Sequence, residues 1–197
     1  MREKIKQGPL TLFPIALLLS VLMLLPDETL RFLAYQRDNG QWWDAITAGW
    51  VHFELSHYLA SLVGLLVMWL LFDEHLSPPP VWLMLAATAL GSVLFEHWFA
   101  QPPFYAITVV ENRGFSGALY GFFAWGSTLD ILKRKPFGWT LLLLVIGKVM
   151  IEAFIGEPIV SFSSVDRVAV MGHLGGALSG VSLALLYSQL SKQQVIK

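Results

Sequence analysis

Six apolar runs decide what this chain can fold into. They cover about residues 10–25, 57–72, 81–99, 116–132, 137–155 and 168–190, and few charges interrupt them. A helix needs roughly 20 mostly apolar residues to cross a bilayer. Inside lipid the backbone must satisfy its own hydrogen bonds, so such runs form helices. None of them alternates in the manner of a membrane β-barrel strand. The sequence therefore predicts an all-α membrane protein, a single domain of six transmembrane helices. Composition agrees, with 55% hydrophobic and 14% charged residues against about 25% charged in a soluble domain. The 197 residues leave room for one helical membrane domain and no large soluble one. A net charge of -1 gives no footprint for nucleic acid. With no cysteine, disulfides and thiolate metal sites are excluded.

The first run follows a basic lead-in, MREKIKQGPL, but ends in LLPDETLRF with no small-x-small cleavage site, so it reads as a retained helix. Orientation follows from Lys and Arg. With the N-terminus cytoplasmic, Arg2, Lys4, Lys6, Lys133, Arg134, Lys135, Lys192 and Lys197 lie inside. Arg31, Arg37, Arg113 and Arg167 lie outside, and Lys148 lies within the fifth run. Both termini are then cytoplasmic, and Trp82, Trp98 and Trp139 fall at helix ends as an aromatic belt requires. The one long connection, residues 26–56, is rich in aromatics and predicts a packed outer loop partly embedded in the membrane.

In this topology the second, fourth and sixth helices all enter from the outer face. His57 opens the second, Ser116 opens the fourth, and His173 lies about a turn into the sixth. Polar groups in membrane helices are costly and usually face a bundle interior or a water-filled cavity. Three at one depth therefore suggest a site. A serine hydroxyl needs an adjacent base to attack a carbonyl, and His173 is the candidate base. Backbone amides at the start of the fourth helix, helped by its dipole, and the His57 side chain are candidate donors to an oxyanion. Gly114 and Gly117 allow tight backbone geometry there. Gly176 and Gly180, four apart, form the small-xxx-small pattern that lets the sixth helix touch the fourth. Tyr120 lies one turn below Ser116 on the same face and is placed to pack on the His173 ring. No acidic residue is evidently placed to orient His173, so the expectation is a Ser116–His173 dyad. The soluble hydrolase pattern Gly-x-Ser-x-Gly after a strand does not fit, because position 118 is alanine.

At these residues the chain resembles the rhomboid family of intramembrane serine proteases, over about residues 28–190. GFSGALYG resembles the family's nucleophile motif and implies Ser116 as nucleophile; GHLGGALSG resembles the last-helix motif and implies His173 as base. WWDAITAGWVHFELSHYLAS resembles the first loop and second helix, with Trp43, His52 and His57 at matching positions. LAYQRDNGQWWDAITAGWVHFELSHYL and GKVMIEAFIGEP are most similar to rhombosortases. That resemblance implies a bacterial inner-membrane protease. It would cut the C-terminal sorting tail of secreted proteins (a glycine-rich motif, an apolar helix and a basic end) near the tail's outer end.

Two positions depart from the family pattern. Asp44 follows the loop Trp where an Arg is usual, reversing a charge expected near lipid headgroups. Ser61 stands where the family has an Asn that donates to the oxyanion; the resemblance leaves Ser61 a shorter substitute, with a typical cost of about 10²–10³ in rate for one lost donor. Lys148 and Glu152, one turn apart in the fifth helix, read as a mutually neutralising pair or as residues that receive the substrate. Glu96 and His97 read as interfacial, with no role. No cofactor is implied, and the five His show no metal-ligand spacing. The rival readings are a catalytically impaired rhomboid-like protein that binds or escorts membrane clients, and a small transporter. The transporter calls for broken helices or repeat symmetry, and neither is present.

Overall fold

The computed structural model describes residues 8–38, 40–78, 80–101, 111–160 and 168–195. Helices dominate: α1 (Gly8–Met23), α2 (Asp27–Leu33), α3 (Asp44–Thr47), α4 (Leu55–Phe72), α5 (Pro80–Phe99), α6 (Ser116–Leu132), α7 (Gly138–Ile155) and α8 (Val170–Val195). Strands β1 (Tyr35–Gln36) and β2 (Glu111–Asn112) pair antiparallel, Tyr35 opposite Asn112 and Gln36 opposite Glu111. Among the described residues, four helical segments are long and apolar enough to cross a membrane: Leu55–His75, Pro80–Phe99, Gly138–Ile155 and Val170–Ser191. The six runs of the sequence thus yield four full-length spans. α1 and α6 fall short, at 16 and 17 residues.

The exterior differs from that of a soluble protein in being largely apolar. α4 buries Ser61, Leu65, Met68 and Phe72, a single stripe at helical spacing. Leu59, Val63, Leu66, Leu70 and Leu71 stay exposed. α7 buries Val145, Val149 and Glu152 while Leu143, Leu144, Ile151 and Phe154 face outward. Meanwhile Ser61, His75, Thr88, Ser92, Glu96, Asp130, Glu152 and His173 are buried. Large apolar surface outside and hydrogen-bonded polar groups inside suit a multi-pass membrane protein.

α6 is the axis, buried on nearly all sides, with Phe122, Ala124, Trp125 and Ser127 all within the interior. α5, α7 and α8 pack around it. The α6–α8 contact is backbone to backbone. A Cβ at Gly176 would strike Gly117, and one at Gly180 would strike Gly121, as the small-xxx-small spacing predicts. α1 leans on α4, its Trp82 neighbour donating from Nε1 to the Thr11 carbonyl at 2.8 Å.

The segment 26–56 is a built structure. α2, β1, α3 and a 3₁₀ turn at Ala48–Trp50 bury Leu30, Ala34, Tyr35, Ala48, Val51 and His52. Asp44 does not face headgroups: it is 2% exposed, and its Oδ2 accepts from the Gln41 amide at 2.8 Å. A short carboxylate closes this local turn where a long Arg side chain would have to leave it. Arg2, Lys4, Lys6, Arg167, Lys197 and the Lys192 side chain lie outside the described set.

Candidate active site

The site is assembled at the N-terminal end of α6. Just before it, Gly114 adopts φ +108 and donates its amide to the Ala48 carbonyl at 3.0 Å. Only glycine suits that backbone, and the space a Cβ would need is filled by the His57 ring. Phe115 is fully buried, its ring 5.2 Å from that of Trp50. Its amide points at His52 Nε2, 3.4 Å away. The loop therefore grips both residues that precede Ser116. The helix ladder begins with the Leu119 amide on the Phe115 carbonyl. The amides of Ser116, Gly117 and Ala118 are thus the orphan donors of a helix N-terminus.

Ser116 Oγ lies 3.0 Å from His173 Nε2. His173 sits in the first turn of α8 and is 6% exposed. Tyr120 covers its ring at a centroid distance of 4.4 Å and a tilt of 44°, the position expected one turn below Ser116. The unexpected partner is on the other ring nitrogen. Glu152 Oε2 lies 3.1 Å from His173 Nδ1, and its side chain has 0% exposure. The sequence left His173 without an acid; helix α7 supplies one. Glu152 Oε1 also accepts from Lys148 Nζ and, at 3.0 Å, from the Ile159 amide. Lys148 donates to the Tyr120 hydroxyl as well. The Lys148–Glu152 pair expected from the sequence therefore exists, but it points into the site.

An ionised carboxylate only accepts hydrogen bonds, so Glu152 places the imidazole proton on Nδ1. Nε2 then turns its lone pair to Ser116 Oγ. This order of hydroxyl, imidazole and carboxylate is the one in which a serine can give up its proton. Among the described residues, no group of three or more His, Asp or Glu lies close enough to share a metal ion.

Ser61 hydrogen-bonds to His52 and to the His57 carbonyl. It is 2% exposed, its Oγ lies 2.9 Å from His52 Nε2, and it reaches the His57 carbonyl at 3.2 Å. A hydroxyl has one proton to donate, and both of these acceptors compete for it. The shorter side chain is spent bracing His52, which burial holds neutral with a pKa lowered to about 3. His52 is the residue that the sequence underrated: it joins α4 to the turn carrying Ser116. Glu96, read from the sequence as having no role, is enclosed by the protein. It is 1% exposed, and its Oε2 accepts from the Gly172 amide at 2.7 Å. That bond satisfies an orphan donor of α8 one residue before His173. The neighbouring His97 is hydrogen-bonded through Nδ1 to the Tyr35 hydroxyl.

The opposite end of α6 carries a second polar cluster. His75 Nε2 and Lys135 Nζ lie 2.6 and 2.9 Å from Asp130 Oδ1. Lys133 Nζ lies 3.2 Å from His75 Nδ1. It fastens the ends of α4 and α6 together and is a helix length away from Ser116.

Comparison with known proteins agrees with this architecture. The family model described as "Rhomboid domain" matches residues 39–190. A curated relative, "Rhomboid-like protein 11, chloroplastic" of Arabidopsis thaliana, is 29% identical over 159 residues, covering 75% of this chain. The chain spans about half of that relative's length, 53%. The family model covers the glycine-packed helices and both partners of the Ser116–His173 contact, and on that match the chain belongs to the rhomboid family.

Proposed function

We propose that this chain is an intramembrane serine endopeptidase with Ser116 as nucleophile and His173 as general base. The observation that carries the reading is the 3.0 Å contact of Ser116 Oγ with His173 Nε2 at the N-terminus of a buried helix. As Oγ bonds to the scissile carbonyl carbon, its proton passes to Nε2 and the carbonyl electrons move to oxygen. The amides of Ser116 and Gly117 and the His57 side chain, which lies against Gly114, are the donors for that oxyanion. Collapse expels the amine, which takes the proton from Nε2. Water then hydrolyses the acyl-serine through the same base.

We place the chain in a bacterial inner membrane with both termini cytoplasmic, α1 and α6 completing six crossings with the four longer spans. At 1.5 Å per residue the 17 residues of α6 reach about 26 Å, short of the ~30 Å hydrocarbon core. Because Lys133, Arg134 and Lys135 mark the cytoplasmic end, the shortfall falls at Ser116, below the outer surface and within reach of water. The substrate is a secreted protein whose C-terminal sorting tail enters as a transmembrane helix; the rhombosortase-like stretches support this choice. The relative's name, "rhomboid-like", and the bonding of Ser61 to His52 favour one rival, a catalytically impaired protein that binds membrane clients.

A fluorophosphonate probe separates the two. The purified protein becomes labelled and the Ser116→Ala and His173→Ala variants do not, and a substrate bearing a glycine-rich motif, apolar helix and basic end is cut by the wild type alone. Absence of Ser116-dependent labelling would leave the client-binding reading in place.

A further inference from the structure

We propose that Glu152 is the positioning acid of this site, which makes it a Ser116–His173–Glu152 triad; the inference rests on the protease reading above. A pair formed only to neutralise Lys148 would not need the arrangement observed. Lys148 keeps 31% of its side chain exposed while Glu152 keeps none. The carboxylate is the member driven inward, and what it meets there is His173 Nδ1, at 3.1 Å. Its other oxygen, Oε1, accepts from Lys148 and from the Ile159 amide. Both oxygens are thus fixed, one on the imidazole and one on two donors that hold the carboxylate in that orientation. Lys148 also holds the Tyr120 hydroxyl, whose ring lies on the His173 face. The imidazole is constrained in its plane by Glu152 and across its plane by Tyr120, and one lysine anchors both.

The consequence is chemical. With the proton fixed on Nδ1, Nε2 accepts the Ser116 proton as Oγ bonds to the carbonyl carbon. The resulting imidazolium keeps Nδ1–H facing the carboxylate, which is not itself protonated. In Glu152→Gln the amide has two choices. Its NH₂ facing His173 forces the imidazole proton onto Nε2, where it can no longer accept from Ser116. Its carbonyl facing His173 puts NH₂ against the donors Lys148 and Ile159.

The test is fluorophosphonate inactivation of the full chain in detergent, resolved into the maximal rate kinact and the half-saturating probe concentration KI. Glu152→Gln lowers kinact by about 10³-fold or more, the effect of a wrong imidazole tautomer, and leaves KI unchanged. Glu152→Asp, which keeps the acceptor but not the reach, lies between the two. A Glu152→Gln protein that is folded by thermal melt and labelled at the wild-type rate overturns the triad while the protease reading stands. A wild type whose labelling is independent of Ser116 overturns the protease reading itself, and the triad with it. Should the Gln variant not fold, the ¹⁵N spectrum of the wild type decides, with the His173 resonances assigned from the His173→Ala variant. Nδ1 protonated and Nε2 bare at neutral pH supports the triad, and the opposite tautomer overturns it.

Discussion

Replacing Gly176 by alanine tests whether backbone contact between α6 and α8 sets the reach from serine to histidine. A Cβ at Gly176 meets the Gly117 carbonyl oxygen first, with that carbonyl's carbon 2.8 Å away and the Gly117 Cα 3.2 Å away. Non-bonded carbons rest at about 3.5–4.0 Å, so the two helices must part by roughly 1 Å. Gly117 follows Ser116 directly, and Gly176 lies one turn beyond His173. The parting therefore falls on the 3.0 Å Ser116–His173 contact and stretches it to about 4 Å, beyond hydrogen-bond reach. A misplacement of ~1 Å costs about 10²-fold in rate, and overpacking costs about 1–3 kcal/mol in stability. Fluorophosphonate labelling rate and thermal melting in detergent measure the two effects on one preparation. Gly147→Ala is the control, because a Cβ at Gly147 meets nothing within 4 Å. Helix propensity makes that variant more stable by about 0.5–1 kcal/mol, and it labels at the wild-type rate. A Gly176→Ala protein that labels and melts like the wild type would refute the argument that this glycine fixes the site.

Two further outcomes follow from the buried polar groups. His52 is neutral in the fold, with its pKa near 3 against 6.5 when free; below pH 6.5 the unfolded chain takes up a proton that the folded chain refuses. Stability therefore falls as pH drops from about 6.5 toward 3, with His52 contributing a slope approaching 1.4 kcal/mol per pH unit. Melting curves for the wild type and His52→Gln across that window show the variant less stable at pH 7 but flatter in its dependence, and parallel curves would count against it. Glu96→Ala leaves the Gly172 amide without its acceptor and costs about 1–3 kcal/mol in unfolding by detergent titration; labelling slows as well, because the first turn of α8 carries His173.

The bundle was legible because lipid imposes a rule that local sequence can express. Apolar runs of sufficient length must be helices, and small residues four apart must be contacts. The α6–α8 contact through Gly176 and Gly180 was readable in this way, and so was the placing of Ser116, Tyr120 and His173 together; that the two glycines meet Gly117 and Gly121 was not. Span count was less so. The apolar run at 116–132 is a central helix enclosed by its neighbours, and such a helix does not need the full bilayer length. The partners of Asp44 and Glu96 were not legible, for a related reason. Each carboxylate is placed by a backbone amide, Gln41 or Gly172, and amides are the same in every residue.

The sequence by itself determined the membrane class, the serine and histidine at one depth, and the tyrosine beneath them, because each follows from helical spacing within a segment. Only the tertiary structure decided which partners Glu152 and Ser61 turn to. Glu152 forms a self-sufficient i,i+4 pair with Lys148 in any helix, so its local pattern is complete without His173. Its turn toward Nδ1 depends on how α7 is rotated against α8, and that rotation is set by the packing of Val145 and Val149 against α6 and α8. Ser61 sits at the expected place on α4, yet its one proton is claimed by His52 and the His57 carbonyl. A side chain's position can be read from spacing, but its hydrogen bond goes to whichever acceptor the fold brings within about 3 Å.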